Sequence, residues 1–229
     1  MSVRLGRPRL HLRTTTSTND RARALAQAGA PHGAVVTATE QSAGRGRQGR
    51  TWSAPSGRAL ALSLVLRKPP PLLPLAAALA VAEVAGPGAA IKWPNDVLLD
   101  GRKVAGILAE GRPHEGWAVL GIGLNVAVRV DDLPPELHAT AGTLGLEPAD
   151  LEPTLERLLA ALARALELDA TALLDAYRER DALRGHEVRW AGGHGRAAGV
   201  DGSGRLVVEL AGGGRTALSA GEIHLEAGA

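Results

Sequence analysis

AIKWPNDVLLDGRKVAGILAE, residues 90–110, is the stretch on which the fold turns. Ala90 to Trp93 has strand character, Asp100-Gly101 has the composition of a tight hairpin tip, and Val104 to Glu110 is apolar again. The chain is therefore expected to run out as a strand, turn at Asp100-Gly101 and return beside itself. Pro94 fixes its own φ and pushes Trp93 toward extended backbone, so the polar run Lys92-Trp93-Pro94-Asn95-Asp96 sits where a strand leaves its sheet. Such a hairpin brings Lys103 back close to Asp96, with both able to face one pocket. The plainer alternatives are a polar strand-to-turn corner for the first motif and a solvated lysine beside the tip for Lys103.

Outward from this hairpin, Ala34 to Thr39, Leu60 to Leu66 and Trp117 to Leu124 also have strand character, and Glu40 to Arg50 is a loop. Ser17-Thr18-Asn19-Asp20 before Arg21 to Ala28 reads as polar caps opening an Ala-rich helix that stops at Gly29 and Pro31. A Pro-rich turn from Lys68 to Pro74 precedes a helix over Leu75 to Val84. Beyond Pro134 the texture changes: Leu155 to Leu168 and Ala172 to Arg180 read as amphipathic helices. From Gly185 onward, alternating segments at Val188 to Trp190, Leu206 to Leu210 and Thr216 to Leu218 are divided by Gly-rich turns, which suggests a small β-barrel or sandwich of about five strands.

Composition narrows the function classes. A chain of 229 residues can bury one sizeable core and carry a small second unit, and 45% hydrophobic with 22% charged residues is globular composition. The absence of cysteine excludes disulfides and thiolate metal sites and fits a reducing cytoplasm. A net charge of +2 argues against wholesale nucleic-acid coating; the local exception is Arg45, Arg47 and Arg50, with no acid among them. Met1 to Arg13 has arginines but no apolar run, unlike a signal peptide, and Leu72 to Ala82 is too short to span a bilayer.

Only three of the 26 basic residues are lysines, Lys68, Lys92 and Lys103. A chain that writes nearly every cation as Arg keeps Lys where a compact ammonium is wanted, so Lys92 and Lys103 are the first candidates for chemistry. The only asparagines, Asn19, Asn95 and Asn125, fall in Ser17-Thr18-Asn19, in Lys92 to Asp96 and in Gly121-Ile122-Gly123-Leu124-Asn125. Gly44-Arg45-Gly46-Arg47-Gln48-Gly49-Arg50 alternates glycine with arginine, a mobile loop whose N–H groups and guanidinium forks can converge on an anion. It could equally be a solvated basic loop or an RNA-binding stretch, although aromatic residues total 2%, too few for paired stacking platforms. Gly121 and Gly123 would let a ligand approach the backbone of a strand that ends in an amide.

In order and spacing these segments resemble the biotin protein ligase family over nearly the whole chain. The matching residues are Ser17-Thr18-Asn19, Glu40 to Trp52, Lys92 to Asp96, Arg102 to Gly106 and Gly121 to Asn125, followed by the C-terminal β unit. The arginine loop and Lys-Trp-Pro-Asn-Asp are the specific motifs. The resemblance implies an α/β fold of the α+β type, with a mixed central sheet and helices in a catalytic domain of residues 1–182 and a small SH3-like β-barrel in residues 183–229. It implies a cytoplasmic enzyme that makes biotinyl-5′-AMP from biotin and MgATP, then passes the biotinyl group to a lysine of a biotin carboxyl carrier protein.

Carried over by position, Ser17, Thr18, Asn19 and Gln41 would border the biotin ring, while Arg45, Gly46 and Arg47 would close over biotin and adenylate. Lys103 would meet the biotin carboxylate and α-phosphate. Lys92, Arg50 and Trp52 would lie on the nucleotide side, and Asn95 and Asn125 would help hold the nucleotide. Asp96 would orient ligand or the carrier lysine. No residue is certain as a metal ligand; Mg²⁺ would come with ATP, near Asp96 and Asn125. Ser42 stands where the family often has Gln, and Ser53-Ala54-Pro55-Ser56 lacks an aromatic often found there, so Trp52 and Trp93 are the candidates for covering the ring and adenine. Related repressor enzymes carry a helix-turn-helix domain ahead of Ser-Thr-Asn. With 16 residues before Ser17, an enzyme without operator binding is expected, no membrane association is expected, and a homodimer is left open. The other classes in view are a lipoate or octanoate ligase or transferase of the same fold, which the arginine loop and Lys-Trp-Pro-Asn-Asp disfavour, and an RNA-binding module.

Overall fold

The computed structural model describes residues 5–112 and 115–225. Its main layer is a seven-stranded sheet of β1 (Arg9–Thr15), β2 (Val35–Gln41), β3 (Ala59–Arg67), β4 (Ala89–Lys92), β5 (Asp96–Leu99), β6 (Arg102–Arg112) and β7 (Trp117–Asn125). Their spatial order is β1-β2-β3-β7-β6-β5-β4. β1 runs parallel to β2 across the helix α1 (Thr18–Gln27), and the other neighbours are antiparallel, so the sheet is mixed.

Both faces of the sheet are covered, which is why β3 reads as a nearly unbroken apolar run rather than an alternating one. On one face Ala22 and Ala26 of α1 pack with Val36, Val65, Trp117 and Val119. On the other, Leu62, Leu64, Leu66, Leu120 and Leu124 meet the Ala-rich α2 (Leu73–Ala85), itself backed by Leu155, Leu158 and Leu162 of α3 (Leu151–Glu167). The small side chains of α2 let it lie buried between sheet and helix. α4 (Ala170–Arg178) follows, its first turn capped by Asp169, which accepts from the Ala172 N–H at 2.9 Å.

The C-terminal unit is a five-stranded antiparallel sheet of β8 (Glu187–Trp190), β9 (Gly193–Val200), β10 (Leu206–Glu209), β11 (Arg215–Leu218) and β12 (His224–Leu225), ordered β11-β10-β9-β8-β12. Val188, Ala197, Leu206, Val208 and Ile223 join the same apolar cluster as the large sheet. Polar ties reinforce the join: Trp93 Nε1 donates to the Gly204 carbonyl at 3.0 Å, and Arg180 donates to the carbonyls of Gly86 and Ala89 at 3.1 Å. The boundary expected at residue 182 falls within this continuous core, where Ala182 N–H bonds Ile91 O at 2.9 Å. Residues 1–4 and 226–229 of the two expected units lie outside the described residues.

Two local expectations change. The strand leaving at Ala90 does not continue to the hairpin tip; it reverses at Trp93-Pro94-Asn95, so that Lys92 pairs with Asp96, and reverses again at Asp100-Gly101. The second turn has both residues at positive φ, 51° and 74°, the geometry that suits a tight hairpin. The sequence pattern does not mark β1, because Arg-Leu-His-Leu-Arg-Thr-Thr is a mostly exposed edge strand with little apolar signal.

Candidate active site

The N-terminus of α1, residues 103–108 of β6 and 121–123 of β7, the β4–β5 turn and the arginine loop surround one cleft. Ser17, Thr18, Asn19, Gln41, Arg45, Gly46, Arg47, Arg50, Trp52, Lys92, Asn95, Asp96 and Lys103 all line it.

Its floor is polar and buried. Ser17, Thr18 and Asn19 are 2–4% exposed. Ser17 makes no side-chain cap bond, so the expected capping role is corrected: the free N–H of Thr18 is met by Gln41 Oε1 from β2 at 2.8 Å. Thr18 Oγ1 lies 3.1 Å from that same oxygen and 2.8 Å from Ser63 Oγ, which lies 2.6 Å from Asn19 Oδ1. The ends of this chain, Gln41 Oε1 and Asn19 Oδ1, only accept, and the two hydroxyls between them hold one proton each. Two protons serve three oxygen contacts, so the floor is short of a donor. Above it, glycines open the wall: a Cβ on Gly121 would collide with the Asn19 amide, and one on Gly123 with the Trp52 indole.

The rim is cationic. Arg45, Arg47, Arg50, Lys92 and Lys103 face the cleft against the carboxylates of Asp96 and Glu222. Lys103 Nζ stands 2.7 Å from Asp96 Oδ1 and 6.0 Å from the Trp52 ring centre. Asp96 Oδ1 is buried and receives no directed hydrogen bond, so this ion pair is its compensation. Burial holds the Lys92 ammonium below its ordinary pKa; Asp96 opposes that shift, while Lys103 and Arg50 add to it. Burial likewise lowers the pKa of Arg47, against the attraction of Asp96. One carboxylate thus faces several crowded cations, an arrangement that favours an incoming polyanion.

The loop that carries three of these cations is tied at both ends. Arg45 Nη2 reaches Asp20 at 2.6 Å and Glu110 at 3.2 Å, and Arg50 pairs with Glu222 from the C-terminal unit. These are part-exposed pairs, worth about 0–1 kcal/mol each, so they place the loop without locking it.

Asn125 is not brought to the cleft. It is 4% exposed, and its Nδ2 donates to Gly142 O at 2.9 Å, which spends that group on the segment after β7. Trp93 lines the wall, but its indole is 2% exposed and committed to Gly204, which makes it a core side chain. Asn95 donates to Ile107 O at 3.1 Å, fastening the turn to β6. Among the described residues no group of three His, Cys, Asp or Glu could hold a metal. Sequence reasoning missed Ser63, whose signal was a lone hydroxyl in the apolar run of β3, and Asp20, Glu110 and Glu222, which carried no local signal.

Residues 11–126 match the model of the biotin/lipoate A/B protein ligase family. The biotin–[acetyl-CoA-carboxylase] ligase of Mycobacterium tuberculosis is 39% identical, over 92% of this chain and 86% of its own length. The chain belongs to the biotin/lipoate A/B protein ligase family. Within that family, the bifunctional ligase/repressor of Bacillus spizizenii is 40% identical over 61% of this chain, and the match spans about half (47%) of that relative. A biotin protein ligase from Aquifex aeolicus, solved in complex with biotin and ATP, superposes with a TM-score of 0.81 at 27% identity, covering 96% of this chain and 99% of that one. The mixed sheet with its small C-terminal sheet is therefore the biotin ligase fold.

Proposed function

We propose that the chain is a biotin protein ligase: it condenses biotin with MgATP to biotinyl-5′-AMP and pyrophosphate, then transfers the biotinyl group to a lysine of a biotin carboxyl carrier protein, forming an amide and releasing AMP. The observation that carries this reading is the donor-deficient floor of Thr18, Asn19, Gln41 and Ser63 beneath a cationic rim. The ureido group of biotin brings N–H donors to such a floor, and its carboxylate points toward the rim. A lipoyl dithiolane brings no donor, and a site built to hydrogen-bond one group rejects an analogue lacking it. The Mycobacterium and Aquifex relatives support the same choice within the family.

In this reading Ser17, Thr18, Asn19 and Gln41 hold the ring, and Trp52 lies over the glycine wall. Lys103 brings carboxylate and α-phosphate together by offsetting their mutual repulsion, and Lys92, Arg45 and Arg50 take up charge on the phosphates. Arg47 closes over the mixed anhydride. Magnesium enters as part of MgATP, and Asp96 is the carboxylate of the Lys-Trp-Pro-Asn-Asp turn available to it. In the second step Asp96 accepts the proton that the attacking lysine must lose. Residues 1–182 carry the chemistry, while residues 183–229 brace the arginine loop through Glu222.

Calorimetry with biotin and with lipoate, followed by biotin-dependent exchange of pyrophosphate into ATP, tests the reading. Biotin binding with exchange is expected; lipoate binding in its place would overturn it.

A further inference from the structure

We propose that Glu110, which lines the cavity adjoining the cleft on the far side of the arginine loop rather than the cleft itself, is a positioning residue that couples the polar floor to that loop; this deepens the biotin ligase reading and rests on it. Glu110 sits on β6, laddered to Val119 of β7, so its backbone is held by the sheet rather than by a loop.

The coupling follows from which atoms share an oxygen. Asn19 Nδ2 donates to Glu110 Oε2 at 2.8 Å while Asn19 Oδ1 takes the short contact from Ser63. A carboxylate only accepts, so the Asn19 amide cannot turn over without setting two acceptors face to face. Glu110 therefore decides which end of the amide the floor presents. The same Oε2 accepts from Arg45 Nη2 of the loop at 3.2 Å, and Oε1 accepts from Arg23 at 2.9 Å. Arg45 also reaches Asp20, the neighbour of Asn19, at 2.6 Å. One oxygen thus bonds a floor residue and a loop residue together. A ligand that draws on Asn19 changes what Oε2 offers Arg45, and a displaced loop changes what it offers Asn19. The ring end of a bound ligand and the lid over its carboxylate end are linked through Glu110.

Glu110→Gln tests this, because it keeps the shape and removes the charge. A side chain that only fills space on β6 would tolerate it. Biotin affinity by calorimetry, and protection of the loop arginines from trypsin at equal biotin occupancy, are measured on wild type, Glu110→Gln and Asp20→Asn; thermal unfolding checks folding. Expected for Glu110→Gln is an affinity loss of about tenfold, the scale of one charge-assisted hydrogen bond, together with loss of biotin-dependent protection. Asp20→Asn, which removes a charge facing Arg45 and Arg23 but leaves the Glu110 bond to the Asn19 amide in place, should weaken protection while costing less affinity. Wild-type affinity in Glu110→Gln, or lost affinity with protection intact, overturns the coupling. If wild type itself takes no biotin, the ligase reading falls, and the coupling with it.

Discussion

Gly123→Ala separates a contact made by the loop from one made by the core. A Cβ there would stand 2.3 Å from Trp52 Cε2, where carbon atoms settle at about 3.5–4.0 Å, so one side must give by about 1.2–1.7 Å. Gly123 is fixed in mid-ladder between Ala61 and Gly106, whereas Trp52 is half-buried on the flank of the arginine loop. The indole should yield. Overpacking a closed core costs about 1–3 kcal/mol, but an indole free to lift should hold the cost below about 1 kcal/mol, a Tm loss of no more than about 4 °C at this chain length. The ligand loses more. Stripping on the order of 60 Å² of apolar contact between indole and biotin removes about 1.5 kcal/mol, about tenfold in affinity. Gly106→Ala is the graded comparison, since its Cβ would meet Trp52 at 3.3 Å and should cost only about two- to threefold. Calorimetry, thermal unfolding and tryptophan emission, assigned with Trp52→Phe, give the three readouts. Unchanged biotin affinity in Gly123→Ala, or a Tm loss beyond about 10 °C with Trp52 emission unmoved, would refute the reasoning.

Lys103→Ala should abolish biotin-dependent pyrophosphate exchange, by about 100-fold or more, and should also lower Tm, because it leaves the buried Asp96 Oδ1 without its ion-pair partner, so exchange is compared at a temperature where both proteins are folded; near wild-type exchange would remove Lys103 from the chemistry, and Lys103→Arg should not restore it. Arg47→Gly should still form adenylate but leak it, so that albumin mixed with enzyme, biotin and ATP becomes biotinylated; negligible labelling by a variant that consumes ATP would exclude Arg47 as the lid. Burial raises the pKa of the Asp181 carboxyl, against hydrogen bonds from the Leu183 and Arg184 backbone and the charge of Arg184. A raised pKa means that stability is gained as pH falls toward the ordinary carboxylate range and lost as pH rises through the folded value. Asp181→Asn should therefore unfold at a higher temperature than wild type near pH 7.5, with the gap closing toward about pH 4.5; a gap that stays constant with pH would contradict the assignment.

Much of the fold could be read because its strongest elements bury on both sides. β3 and β7 are long apolar runs, α3 is amphipathic at helical period, and Asp100-Gly101 names its own turn chemistry. β1 could not be read from pattern, since its place is set by pairing with β2 and by the ion pair of Arg9 with Glu152 on α3, not by its own burial. The β4–β5 reversal was hidden for a related reason. Ile91 and Val97 are both fully buried, so apolar residues flank Pro94 evenly and a turn between them leaves the same pattern as a strand passing through.

The site divides along the same line. Most of the residue types that the cleft gathers were visible in place: rare lysines, rare asparagines and a glycine-spaced run of arginines. What positions them is not local. Arg45 is held by carboxylates 25 and 65 residues away along the chain, and Arg50 by Glu222 of the C-terminal unit. Each of those acids looks like an ordinary surface charge in its own neighbourhood, and becomes meaningful only when the sheet brings β6 beside α1 and the small sheet beside the loop. Asn125 shows the same dependence on tertiary structure. The segment after β7 folds back and takes its Nδ2 at the Gly142 carbonyl, while its buried Oδ1 has no hydrogen-bond partner. Motif spacing can say which groups a chain keeps for a site; which of them reach the ligand is settled by tertiary hydrogen bonds that compete for the same donors.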